Sequence, residues 1–168
     1  HDALPIFLQG LADYSFYKRA WEPHIAAFEV VVDEAADKLD VIYTIRDDAY
    51  WSFYNNAKPR VPVTSDDVVF WYDEIWGDEA CGSSGYNSRF MTLDDGSEAE
   101  ITIEKLDDKR FVFHFPTIVA EPVLATNMNF GPSFIYKPAK DAGGADAVKN
   151  LCTVAMNVQD LPSCGPYF

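Results

Sequence analysis

The chain has 168 residues, 48% of them hydrophobic, enough to bury a core and short enough to favour one compact domain over two. Acidic residues outnumber basic ones by 27 to 13, a formal charge of −14. The resulting field repels phosphate backbones and anionic membrane surfaces, so nucleic-acid binding is disfavoured. No stretch approaches the roughly 20 apolar residues of a membrane-spanning helix.

The first residues lack the basic start and apolar run of a signal peptide, and the chain begins at His1. A processed or excised product fits that start, which leaves the native compartment open. Cys81, Cys152 and Cys164 are too few for a disulfide scaffold and form no Cys-x-x-Cys motif. In an exported chain Cys152 and Cys164, which bracket a short Pro-containing segment, are the favoured pair; pairing of Cys81 with either stays open.

In chain order, the opening HDALPIFLQGLADYSFYKRAW mixes aromatics and charges without a sustained period and reads as loop with one short strand. Phe28 to Val32 and Leu39 to Ile45 are β-rich runs separated by a polar stretch, which predicts a hairpin. Val41, Tyr43 and Ile45 alternate with Ile42, Thr44 and Arg46, so one face is expected to be buried. The Asn-Asn pair and prolines of YWSFYNNAKPRVPV mark a loop.

A helix then starts sharply. Thr64 is placed to cap it, Asp67 occupies the capping-box position, and Ser65 and Asp66 suit the positive end of its dipole. Val68, Val69, Tyr72, Ile75 and Trp76 follow helical spacing, and Phe70 and Trp71 widen the apolar stripe. A helix apolar on more than one side is expected between two layers.

GDEACGSSGYNSRFMTLDDGSE reads as a long polar surface loop. A second hairpin follows, with Ile101 and Ile103 in its first strand, Asp107 and Asp108 in the turn, and Phe111, Phe113 and Phe115 alternating against Val112 and His114. IVAEPVLATNMNF suggests a short helix interrupted near Pro122, FGPSFIYKP an extended run, AGGADAVKN a short helix, and QDLPSCGPYF a turn-rich exit toward another strand.

Little of this points to catalysis. The pairs Asp47 with Asp48, Asp66 with Asp67, Asp94 with Asp95 and Asp107 with Asp108 are explained by turns and a helix start, because sequence neighbours do not set the separation a glycosidase needs. His1, His24 and His114 are scattered without zinc-ligand spacing, and His114 falls opposite the Phe face, as a surface or satisfied polar residue. LDDGSE lacks the ligand pattern of an EF-hand loop. No nucleophile elbow, P-loop or dinucleotide fingerprint is present, and no metal or cofactor is implied.

Read together, VIYTIRDDAYWS, a Pro-containing loop and PVTSDDVVFWYDEI resemble a hallmark of the family 5 extracellular solute-binding proteins, the ligand-capturing receptors of peptide-type ABC importers. Tyr43, Thr44, Ile45 and Arg46 match the family's strand, Trp51 and Ser52 its Trp-Ser pair, and Pro62, Thr64, Asp66, Asp67 and Val68 its helix start. ITIEKLDDKRFVFHFP resembles its next hairpin and SCGPYF its return strand; the best-matching region is 21–137. The sequence departs from the family where Phe53, Tyr54, Asn55 and Asn56 replace the usual Asp-Gly, and at Cys164, where a small residue is common.

The resemblance implies an α+β fold within residues 1–168, an antiparallel sheet with hairpins packed against a few helices, as in part of the first lobe of a periplasmic peptide-binding protein. The family consists of two-lobed clamps several times longer than this, so the chain corresponds to a lobe fragment or a reduced relative. It implies no enzymatic activity, no cofactor, and a periplasmic or cell-surface location, with a lipid anchor as one attachment of the full-length protein. The implied partners are a peptide or small oligomeric solute, the importer's membrane permease subunits and the remainder of the receptor. Within GSSGYNSRF, Tyr86, Asn87 and Phe90 are the candidate ligand contacts, through stacking and hydrogen bonding. Phe70 and Trp71 are expected to face that remainder. The competing expectations are a structural or protein-interaction domain on the same scaffold and, last, a carboxylate hydrolase.

Overall fold

The computed structural model describes residues 10–81, 84–153, 160 and 162–164, with backbone alone at 152 and 153. The described part of the opening segment holds two strands where one was expected. Strand β1 (Ala12–Ser15) pairs antiparallel with β2 (Ala20–Pro23) around a turn in which Arg19 adopts a left-handed φ of 54°. Tyr14 packs edge-on against Phe16 and Trp21, so ring contacts across the hairpin supply the order that periodicity does not show.

Strands β3 (Ala26–Asp33) and β4 (Lys38–Ile45) form the first predicted hairpin. Strand β5 (Tyr50–Phe53) follows, then a tight turn with Asn55 and Asn56 both left-handed (φ 50° and 55°), and β6 (Val61–Pro62), which pairs back onto β5. Asparagine tolerates that conformation better than most residues, which explains the Asn-Asn pair. Helix α1 (Ser65–Phe70) begins where its cap predicts and runs straight into a π-helical turn, Trp71–Trp76, closed by the Gly77 N–H on the Tyr72 carbonyl.

The segment expected as a loop contains a short helix α2 (Gly85–Ser88) and a hairpin of β7 (Phe90–Thr92) and β8 (Glu98–Glu100). The turn between them is held by Asp95, whose carboxylate accepts from the Ser97 N–H at 2.9 Å. Strands β9 (Thr102–Lys105) and β10 (Arg110–Phe115) make the second predicted hairpin. Asp107 accepts from the Lys109 and Arg110 amides, so that acid belongs to the turn as expected.

Helix α3 (Pro122–Thr126) starts on Pro122, where a missing N–H costs nothing. Helix α4 (Ser133–Thr153) corrects the expected extended run at FGPSFIYKP. It is interrupted at Gly143 and Gly144, the latter at φ 62° and ψ −150°, so its second half coincides with the predicted short helix. Strand β11 (Pro162–Ser163) joins β5 from the other side. The favoured Cys152–Cys164 pairing involves a side chain outside the described residues.

The main sheet has the antiparallel order β3, β4, β10, β9. Leu39, Val41, Tyr43 and Ile45 share its inner face with Phe111, Phe113 and Phe115, and all are buried. Phe111 lies opposite Tyr43, their rings stacked at 5.3 Å. A slip of one residue would turn this row of side chains to solvent, so burial fixes the register. The outer face is mixed: Val112 lies opposite Ile42, and His114 beside them bridges Asp40 (2.8 Å) and Glu104 (3.3 Å) from the two neighbouring strands.

The helical layer packs on the inner face. Tyr72 meets Phe113 edge-on at 5.1 Å, while Trp71 meets Tyr136 of α4 at 4.9 Å. Phe70 and Trp71 are 7% and 9% exposed, which corrects the expectation that they face a missing part of the molecule. Helix α4 covers them, so the two-sided apolar helix lies between layers within the described chain.

One buried carboxylate ties these elements together. Asp67, 2% exposed, accepts from the Thr64 N–H (3.0 Å) and Trp51 Nε1 (2.9 Å) on one oxygen. Its other oxygen accepts from the Ser133 N–H (2.8 Å) and hydroxyl (2.6 Å). Asp67→Ala leaves these donors without their acceptor and should lower stability by about 3–5 kcal/mol in urea titration. Asp67→Asn is expected to fare little better, because its amide faces donors whichever way it is flipped. The exposed neighbour Asp66, paired with Lys105, is the control; Asp66→Asn should cost less than about 1 kcal/mol. Tyr43→Phe removes a buried hydroxyl that donates to Thr126 Oγ1 at 2.8 Å, since the Thr126 hydroxyl donates to the Pro122 carbonyl, and should cost about 1 kcal/mol.

Candidate functional site

The segment from α2 into β7 is held rigidly from below. Gly85 lies against the indole of Trp76, where a Cβ would come within 2.1 Å of the ring, so only glycine permits that approach. Arg89 follows one turn later with a side chain only 12% exposed. Its guanidinium ion-pairs with Glu100 across the hairpin and stands 4.9 Å over the Tyr72 ring, a cation–π contact that joins the segment to the helical layer. The Arg89 carbonyl accepts from the Ile101 N–H at 2.7 Å, and the Tyr72 hydroxyl donates to the Ile101 carbonyl at 2.5 Å.

Burial dominates the electrostatics here. It pushes the Tyr72 phenol well above its ordinary value, with Arg89 offsetting part of that rise. Partial desolvation also raises the carboxyl of Asp73, although that residue is exposed, with Arg89 pulling the other way and Glu100 and Glu74 adding to the rise. A single buried cation is thus shared by several acidic or ionisable neighbours.

On this base the three sequence-selected residues share one short segment. Tyr86 and Phe90 are half-buried, with ring centroids 5.7 Å apart at 59°, and Asn87 is exposed on the same turn of α2. The arrangement offers aromatic faces and a side-chain amide, groups suited to stacking and hydrogen bonding. Sequence reading passed over Arg89 although it sits inside the chosen segment. The available signal was a cation entering a short alternating strand with Glu100 on the next one.

The other chemistry-bearing residues have structural employment. Asp48 pairs with Arg46 at 2.6 Å, Asp66 with Lys105 at 2.8 Å, and Asp107 with Arg110 at 2.6 Å. Burial raises the Cys81 thiol above its usual value, the reverse of an activated nucleophile. Among the described residues no three His, Cys, Asp or Glu side chains gather into a metal-binding group, and no helix is long and apolar enough to cross a membrane.

Comparison with known proteins gives this scaffold a family. The family model described as bacterial extracellular solute-binding proteins, family 5 Middle, matches residues 19–168. Among solved structures, the chain is similar to the oligopeptide binding protein from Thermus thermophilus complexed with pentapeptide. That likeness has 16% identity and a TM-score of 0.62, covering 95% of this chain and 29% of the other. It is also similar to the periplasmic binding protein DppA from Helicobacter pylori in complex with peptide STSA, at 16% identity and TM-score 0.59, covering 86% of this chain and 28% of that one. NikZ from Campylobacter jejuni in complex with Ni(L-His) has the same 16% identity with TM-score 0.53, covering 79% and 23%.

At such identities the structural likeness establishes the fold alone, an α+β arrangement as in part of a periplasmic binding protein lobe. The chain spans less than a third of the length of each of these proteins. No curated protein matches it. The family consists of binding proteins rather than enzymes, so the hydrolase expectation falls away. With the profile covering all but the first eighteen residues, the chain belongs to the bacterial extracellular solute-binding proteins of family 5.

Proposed function

We propose that the chain is part of the ligand-capturing receptor of an ABC importer that takes up peptides or similar small oligomers, working at the periplasmic or cell-surface side of the membrane. The family match over residues 19–168 carries this reading. The structurally similar proteins crystallised with a pentapeptide and with peptide STSA support the ligand class. Its partners in this reading are the permease subunits and the rest of a two-lobed receptor.

In this proposal Tyr86, Asn87 and Phe90 contact the ligand. A peptide is an extended chain of amides with occasional rings. An aromatic pair with an adjacent side-chain amide meets both groups, and a rigid base keeps their ordering cost low. The chain spans less than a third of the length of these peptide-bound proteins, so binding by this piece alone is expected to be weak.

The test uses a longer receptor containing this chain, incubated with a mixed-sequence peptide library and read by mass spectrometry of retained peptides, then by calorimetry on the best binder. Simultaneous Tyr86→Ala, Asn87→Ala and Phe90→Ala should weaken binding at least tenfold, equal to about 1.4 kcal/mol. Unchanged affinity would remove the site assignment; retention of no peptide at all would remove the ligand class.

Two variants check the base of the segment. Arg89→Met should destabilise by about 1–3 kcal/mol, since it removes the countercharge from partly buried acids. Asp73→Asn should stabilise the protein at neutral pH. The folded Asp73 carboxyl is raised above its unfolded value, so its ionised form is disfavoured in the fold above that range. The gain should shrink as pH falls and vanish below the ordinary carboxylate range, measurable as the difference between urea midpoints at each pH.

A further inference from the structure

Two stretches far apart in the chain meet just beyond the π-helical turn. The short turn Glu79–Cys81 packs against α4. Lys140 of α4 reaches Asp78 at 3.1 Å and also donates to the Glu74 carbonyl. Burial raises the Cys81 thiol, and the ammonium groups of Lys140 and Lys149 offset part of that rise, so both halves of α4 approach it. Cys81 and Leu151 pack against the same apolar core, in which Val148 is 5% exposed.

The backbone of α4 carries position 152 to this place. Helix residues three or four apart share a face, so position 152 shares its face with Lys149 and Val148. Cys164 stands at the other end of the helical layer. It follows Ser163, which pairs with Ser52 in β5, and the neighbouring Trp51 of that strand donates to Asp67 in the first turn of α1. From there to Cys81 the chain runs through six α-helical and six π-helical residues. That is about 15 Å of helix at roughly 1.5 Å per residue. Bridged cysteines have Cα atoms no more than about 7 Å apart.

We propose that Cys81 and Cys152 form a disulfide that ties the turn ahead of α2 to the second half of α4, while Cys164 stays outside it. Of the three possible pairs this one joins positions at the same end of the helical layer, whereas each pair with Cys164 has to span its length. The bond closes a loop that contains α2, β7 to β10 and α3, so it restricts the unfolded chain strongly. It also gives the second half of α4, separated from the first by the Gly143 and Gly144 interruption, an attachment besides packing.

Formation is thiol–disulfide exchange with a disulfide oxidant. One cysteine thiolate displaces a thiol from the oxidant, the second thiolate displaces the other, and the oxidant leaves as two thiols that carry off the two protons and two electrons. For its occurrence in the cell the bond rests on the periplasmic or cell-surface location proposed above, where disulfides persist. The pairing itself follows from the fold and is open to test on the purified chain.

The test incubates the 168-residue chain with oxidised and reduced glutathione, alkylates the remaining thiols, and digests without reduction. Trypsin is combined with a protease that cuts at Asp160, which separates Cys152 from Cys164. Mass spectrometry should find the Cys81 and Cys152 peptides joined and Cys164 alkylated. Reduction should lower the melting temperature by about 5–10 °C, as expected for a long closed loop in a domain of this size. Cys81→Ser and Cys152→Ser should each abolish both the joined peptide and the melting difference, and Cys164→Ser should keep both. Joined peptides of Cys152 with Cys164, or of Cys81 with Cys164, overturn the proposal, and so does the absence of any bond within the chain. If a serine variant fails to fold, the peptide map of the unsubstituted chain still decides. Formation in the purified chain upholds the pairing even where the receptor in cells is found with reduced thiols, a result that counts against the exported location instead, so the two readings fail separately.

Discussion

The buried carboxylate of Asp67 is the point on which three separate stretches of chain agree. A hydrophobic layer can slide, because apolar contact has no direction; hydrogen bonds to a carboxylate cannot. Asp67 fixes the start of α1 through Thr64, the position of β5 through Trp51 and the entry of α4 through Ser133. Each donor would be costly to bury alone, so the same geometry that satisfies the acid also dictates where the neighbouring elements must stand. Trp51, Thr64 and Asp67, three of the positions that mark the family in the sequence, are in space one hydrogen-bonded junction.

Around that junction the molecule is a sheet covered on one side. The aromatic row of β4 and β10 gives the helical layer something broad to rest on, and the π-helical turn carries Tyr72 toward the sheet and Trp71 toward α4. Coverage fades toward β3, where Val30 and Val32 look inward without a roof. On the described chain α1 packs against β9 and β10, on the side of the sheet away from β3.

The candidate ligand segment shows a different division of labour. Its outward groups, the half-buried Tyr86 and Phe90 and the exposed Asn87, would be interchangeable with many surface side chains in isolation. Their value lies in the support below them, where Gly85 admits the Trp76 ring and Arg89 couples the hairpin to Tyr72. In the proposed site, support of this kind would lower the cost of ordering the contact surface.

The sequence alone determined both hairpins, the buried face of β4, the capped start of α1 and the family, because these rest on alternation, spacing and neighbouring residue types. Tertiary structure decided what depends on partners far away in the chain. Asp67 reads locally as a capping acid, and only the arrival of Trp51 and Ser133 makes it a buried anchor. FGPSFIYKP has the prolines of an extended run, yet it becomes helix because Ser133 finds that anchor and Tyr136 finds Trp71. Phe70 and Trp71 were legible as apolar, but the layer that covers them was not, since periodicity reports that a face is buried and is silent on what buries it.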